Sequence, residues 1–160
     1  MYKRWIIITL VLTLVITCVS GCAKKPSPVK KPATPKIPDK ISRGEGKEPV
    51  LSVYEVQTHS IKEMKLEDYV AGVVAGEMEN YWPVEARTYV LEFIKDKGGS
   101  KYGDADISTD FEEAQAWNPK NINDRIKKAV EMTRGEVAIY KGNYIKAWFH
   151  SHAGGTTATA

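Results

Sequence analysis

The stretch LEDYVAGVVAGEM, Leu66 to Met78, decides the fold. Leu66, Tyr69, Val70, Val73 and Val74 recur at intervals of three and four, so the spacing predicts a helix with one apolar stripe. Glu77 falls on that stripe rather than on the wet face. Gly76 clears space beside it, and Tyr81-Trp82 follow at once. A carboxyl set against apolar and aromatic walls loses solvation, and its pKa is expected to rise from about 4.3 towards 6 or above. A general acid working near neutral pH needs that shift. The same position also suits a helix-end glutamate that points to water or pairs with Arg87.

Working outward, Pro83 suits the first turn of a second helix. It carries Val84, Ala86, Tyr89, Val90, Phe93 and Ile94, and Gly98-Gly99 ends it. Upstream, Val50–Val56 reads as a strand and Ile61–Met64 as a second, after a turn at His59-Ser60. Downstream comes a polar stretch with Asp104, Asp106, Asp110, Glu112 and Glu113. Asn121 or Asn123 then caps a third helix bearing Ile122, Ile126, Ala129 and Val130, closed by Gly135. Glu136–Tyr140 and Tyr144–His150 are expected as strands of a hairpin around Lys141-Gly142-Asn143. Together these predict a small α+β domain over residues 50–160, with a helical pair around Glu77 and a β-hairpin.

The N-terminal third has another character. Lys3 and Arg4 precede an uncharged run from Trp5 to Val19, too short to span a bilayer but long enough for a signal peptide. It ends in Val19-Ser20-Gly21-Cys22, small residues before a cysteine. Residues 1–21 are therefore expected to be a lipoprotein signal, cleaved before Cys22, which would carry the lipid anchor. The expected location is the outer face of the cytoplasmic membrane, on the cell-wall side. Residues 22–49 hold six of the eight prolines, with Lys24, Lys25, Lys30, Lys31, Lys36 and Lys40 among them. Large apolar residues are scarce, so this segment is expected to be an extended tether.

Residues 1–49 hold 10 of the 23 basic and 3 of the 20 acidic residues. The remaining 13 basic and 17 acidic residues give residues 50–160 a net charge of −4. The basic balance belongs to the tail, so it is no argument for nucleic-acid binding by the domain, and no nucleic-acid partner is expected. Apart from Cys22, the other cysteine is Cys18, inside the signal, so no disulfide framework is expected.

Trp82, Trp117 and Trp148, with several tyrosines, could stack on sugar faces or serve as core aromatics. His150 and His152 face one side of the expected last strand. Two histidines fall short of the three or four ligands of a zinc site, and no metal or cofactor is expected.

Several motifs then fall in one order: Ala71–Met78 (AGVVAGEM), Tyr81-Trp82-Pro83, Ala86-Arg87-Thr88-Tyr89, Ala114-Gln115-Ala116-Trp117, Thr133-Arg134-Gly135, Tyr140-Lys141-Gly142 and Ala147-Trp148-Phe149-His150-Ser151. In this order they resemble the stage II sporulation protein D family, which includes amidase enhancers. The resemblance implies a peptidoglycan lytic transglycosylase cutting between MurNAc and GlcNAc on glycan strands stripped of stem peptides. It implies Glu77 as catalytic acid and base, with Arg87 orienting it or binding the MurNAc lactyl carboxylate. It implies substrate-binding roles for Tyr81, Trp82, Gln115, His150 and Ser151. Peptidoglycan, the membrane and other wall hydrolases such as an amidase are the expected partners.

Two departures accompany the resemblance. The family's helix is longer between the motifs matching Glu85-Ala86 and Arg87-Thr88-Tyr89, by about eight residues or about 12 Å. The family's chains also continue beyond the segment matching His150-Ser151. Some relatives hold zinc through a cysteine where Ala114 stands here, so no such site is expected. A non-catalytic amidase enhancer, a glycan-binding lipoprotein and a degenerate fragment stay open as alternatives.

Overall fold

The computed structural model describes residues 33, 35–44, 48–77 and 82–148. These form a small α+β domain, as the periodicities predict. The elements are β1 (Ser42–Arg43), β2 (Pro49–Glu55), β3 (Ser60–Lys65), α1 (Leu66–Glu77), α2 (Pro83–Lys97), β4 (Ile107–Ser108), a 3₁₀ turn (Pro119–Asn121), α3 (Asp124–Met132), β5 (Ile139–Tyr140) and β6 (Asn143–Tyr144).

β2 is the centre of the sheet. It pairs antiparallel with β3, in register from Val50↔Lys65 to Glu55↔Ser60. Its other edge takes β1 antiparallel near one end and β4 parallel near the other, where Val53 faces Ile107. Alternate β2 residues Leu51 and Val53 turn inward with no exposure. They meet the apolar stripe of α1, on which Tyr69, Val70, Val73 and Val74 are fully buried. α1 also packs against α2, α3 and the 3₁₀ turn, which explains why so much of its circumference is apolar.

The helix ends follow their local chemistry. Pro83 opens α2, and Gly98 closes it at φ 76°. Asn123, one of the two expected caps, accepts the Ile126 N–H on its Oδ1 at 3.1 Å. Lys141 and Gly142 both take positive φ, so β5 and β6 join through a two-residue hairpin turn.

Three expectations change. The domain begins before residue 50, because Ile41 lies 5% exposed in the core and Ser42–Arg43 pair with β2. Lys40 Nζ donates to the Gly98 carbonyl, and the Tyr144 hydroxyl donates weakly to Lys36 O. The Pro/Lys composition of residues 22–49 hid one good anchor among polar neighbours. Next, the polar stretch holds β4, whose two residues are too few to show an alternation. Asp106 fixes it by accepting the Ser52 N–H at 2.8 Å. Last, the hairpin strands are shorter than expected, ending at Tyr140 and Tyr144 among the described residues.

Candidate functional site

Glu77 is the last residue of α1 and is half-buried. Its Oε1 accepts the backbone N–H of Ala116 at 2.5 Å. The other oxygen carries no hydrogen bond among the described residues. Ala116 can come this close because α1 presents glycines at 72 and 76, one turn apart on one face. A Cβ on Gly76 would stand 2.6 Å from Ala116 O and 2.8 Å from its carbonyl carbon. A Cβ on Gly72 would stand 2.0 Å from the Trp117 indole nitrogen. The Asn118 N–H donates to Gly72 O at 2.9 Å, fastening the same loop one turn back. The loop from Gln115 to Asn118 is thus docked by its backbone on a helix face stripped of side chains.

A buried polar chain supports this region. Tyr69, with no exposure, donates its hydroxyl to Ser108 O at 2.9 Å. The Ser108 hydroxyl donates to Glu113 Oε2, which also receives Ser100 Oγ at 2.7 Å. The Lys101 N–H reaches Glu113 Oε1 at 2.5 Å. Burial pushes the Glu113 carboxyl up, but these donors outweigh it and hold it below the usual glutamate range. Burial raises both the Tyr69 and Tyr89 phenols, and the charges of Glu113 and Glu77 add to each. Both hydroxyls therefore stay protonated near neutral pH.

Arg87 goes elsewhere. It has no exposure, and its Nη2 meets Glu67 Oε2 at 2.6 Å while its Nε meets Oε1 at 3.0 Å. Its Nη1 donates to Glu136 O at 2.9 Å. Glu67 also accepts the Gly135 N–H at 3.3 Å. The pair therefore ties α1, α2 and the loop after α3. Glu67 precedes Glu77 by ten residues on α1, about 15 Å along the axis. The expected orientation of Glu77 by Arg87 is absent from this geometry, because the guanidinium is committed to Glu67 and to backbone carbonyls.

The other expected residues divide. Gln115 is 2% exposed, and neither its amide nitrogen nor its oxygen has a hydrogen-bond partner. Trp82 is 54% exposed just before α2, and Trp148 is also exposed. Trp117 lines a groove of about 610 Å³ with Glu55, Gln57, Asn118, Pro119 and Lys120. Tyr81, His150, Ser151 and Cys22 lie outside the described residues. Among the described residues, no three His, Cys, Asp or Glu side chains cluster as metal ligands. The sequence reading missed the Ala116 N–H, since a backbone donor leaves no trace in side-chain identity. It also missed Glu113, whose spacing from Ser100 and Ser108 follows no regular period.

Known proteins resemble this chain. The family described as stage II sporulation protein matches residues 54–140. An uncharacterized protein of Brachyspira hyodysenteriae is 36% identical over 109 residues, covering 62% of this chain and 29% of the relative. Stage II sporulation protein D of Bacillus amyloliquefaciens is 27% identical over 166 residues, covering 86% and 48%. The Bacillus subtilis protein of the same name is 26% identical over 130 residues, covering 69% and 38%. The chain thus spans between 29% and 48% of the length of these curated relatives.

Proposed function

This chain belongs to the stage II sporulation protein D family, and from that premise we propose that it is a peptidoglycan lytic transglycosylase, with Glu77 as its acid and base. The observation that carries the reading is the state of the Glu77 carboxylate. One oxygen is fixed by the Ala116 N–H, and the other meets no hydrogen-bond partner among the described residues, which suits it to a proton transfer.

In the proposed reaction, Glu77 gives its proton to the glycosidic oxygen as the bond from MurNAc C1 breaks. The MurNAc 6-hydroxyl oxygen then bonds to C1, and the Glu77 carboxylate takes the hydroxyl proton. The carboxyl ends as it began, one glycosidic bond is exchanged for one anhydro-ring bond, and no water is consumed. Neither a second carboxylate for activating water nor a covalent enzyme intermediate is needed. Arg87 enters this reading as a strut that holds α1 and α2, not as a group on the substrate. The lipoprotein pattern ending at Cys22 supports action at the outer face of the membrane, on wall glycan.

The test is product analysis. Peptide-free glycan strands incubated with the chain should acquire anhydro-MurNAc ends, read by mass spectrometry. Reducing ends would mean hydrolysis instead, and no new ends from folded protein that still binds strands would favour a glycan-binding amidase enhancer.

A further inference from the structure

We infer that the groove beside Trp117 is a subsite for an N-acetylmuramyl unit of the glycan strand, with the indole under the sugar face and Lys120 meeting the lactyl carboxylate. This rests on the glycan-cleaving reading and adds to it a subsite and a specificity-determining cation.

The groove has the composition that sugar recognition needs. Its volume of about 610 Å³ falls in the range of small-molecule sites. Trp117 supplies the one aromatic face in its lining among the described residues, whereas Trp82 and Trp148 stand out in solvent. Around it, the Asn118 amide and the Gln57 amide nitrogen can serve hydroxyl and acetamido groups. Gln57 presents that nitrogen because its oxygen is already turned to Thr109 Oγ1 at 3.4 Å.

Charge selects the sugar. Glu55 lines the groove, but its Oε2 is taken by Lys62 and by the Thr58 hydroxyl. Lys120 is exposed and makes no ion pair among the described residues. A ligand carrying a carboxylate therefore finds an ammonium without a competitor among the described residues and a glutamate already paired with Lys62. Arg87, the other cation considered for that carboxylate, is sealed inside the fold with Glu67.

Position joins this groove to Glu77. Ala116 and Trp117 are consecutive, the first holding Glu77 and the second packed over Gly72. Gly72 and Glu77 are five residues apart on α1, about 7.5 Å along the axis, which is within the span of a disaccharide. A strand cleaved at Glu77 can thus rest a neighbouring sugar on Trp117.

The experiment uses the full chain carrying Glu77→Gln, so that ligand survives. Binding is measured for peptide-free glycan strands and for chito-oligosaccharides of equal length, which have no carboxylate. The indole N–H resonance of Trp117, assigned with Trp117→Phe, reports the site. Strands should bind more tightly and move that resonance. Lys120→Gln should weaken strand binding roughly three- to fivefold, the scale of an exposed ion pair, and leave chito-oligosaccharides unchanged. Lys120→Arg should restore it. Strand binding that ignores Lys120→Gln and leaves the Trp117 resonance unmoved overturns the subsite while leaving cleavage at Glu77 standing. Failure of the parent chain to form anhydro ends would sink the cleavage reading instead, and the binding comparison is read without turnover.

Discussion

Ala116 holds Glu77 through a backbone N–H to Oε1 bond of 2.5 Å, and the peptide beside it fills the space a Cβ on Gly76 would need. The carboxylate is therefore positioned by main chain on one side and by an absent side chain on the other. Such an arrangement depends on residue 76 more than on the identity of residue 116.

Gly76→Ala tests this directly. The added Cβ must push the Ala116 carbonyl back from 2.6 Å, and the 116–117 peptide must move with it. The helix itself gains, because alanine is favoured over glycine by up to about 1 kcal/mol. Turnover should fall roughly 10- to 100-fold through misplacement of the acid. Circular dichroism should stay helical, and strand affinity should fall less than turnover, since the shift reaches Trp117 only through the backbone. Ala116→Ser, which keeps the N–H, should stay near the parent rate.

The buried pair of Glu67 and Arg87 makes a different prediction. Removing one partner leaves a charge without its mate in the core, which costs about 3–5 kcal/mol. Arg87→Met should therefore lower the denaturant midpoint strongly. Replacing both, as Glu67→Met with Arg87→Met, should cost much less than the sum of the single changes. A catalytic arginine on the surface would instead leave stability unchanged and lower turnover alone, which urea titration of the variants separates.

Acid should loosen the loop from Ser100 to Glu113. Hydrogen bonds from Lys101 and Tyr102, then from the Glu112 N–H, hold the Asp110 carboxyl down at about 2 against an ordinary 3.8. Glu113 is also held below its ordinary 4.5. A depressed folded value means the stabilisation is fully present above the unfolded pKa and is lost as pH falls through the folded one. The loss should therefore run from about pH 4.5 down to about 2. Stability measured across that window should slope less steeply in Asp110→Asn and in Glu113→Gln than in the parent.

The segment before β2 should behave as part of the domain. Ile41 is buried in the core, and truncating it to alanine should cost about 2–4 kcal/mol. An exposed tether residue would tolerate the change within about 0.5 kcal/mol. Chemical denaturation of Ile41→Ala decides between the two.

Much of this arrangement is legible in the sequence, and the gaps have physical causes. The stripe from Leu66 to Val74, Pro83, Gly98 and the Asn123 cap set α1, α2 and α3 in place, because periodicity and capping act within a few residues. Glu77 is legible for the same reason, as a carboxylate at the end of an apolar stripe. Its partner is not, since any residue at 116 supplies an N–H. Glu67 reads as an ordinary acidic residue in a first helical turn, where the helix dipole favours it. Only the packing of α2 against α1 shows that it faces Arg87. Ile41 and β4 escape because two or three ordered residues carry no period at all.

The most direct measurement is the product yield of Glu77→Gln on peptide-free glycan strands, beside the parent chain at equal concentration. Glutamine keeps the shape and can still accept the Ala116 N–H, but it cannot give a proton. Formation of anhydro-MurNAc ends should fall by about 10²–10⁴-fold while the melting curve and strand binding stay near the parent values. Anhydro ends formed equally fast by the glutamine variant would contradict the assignment of Glu77 as the acid.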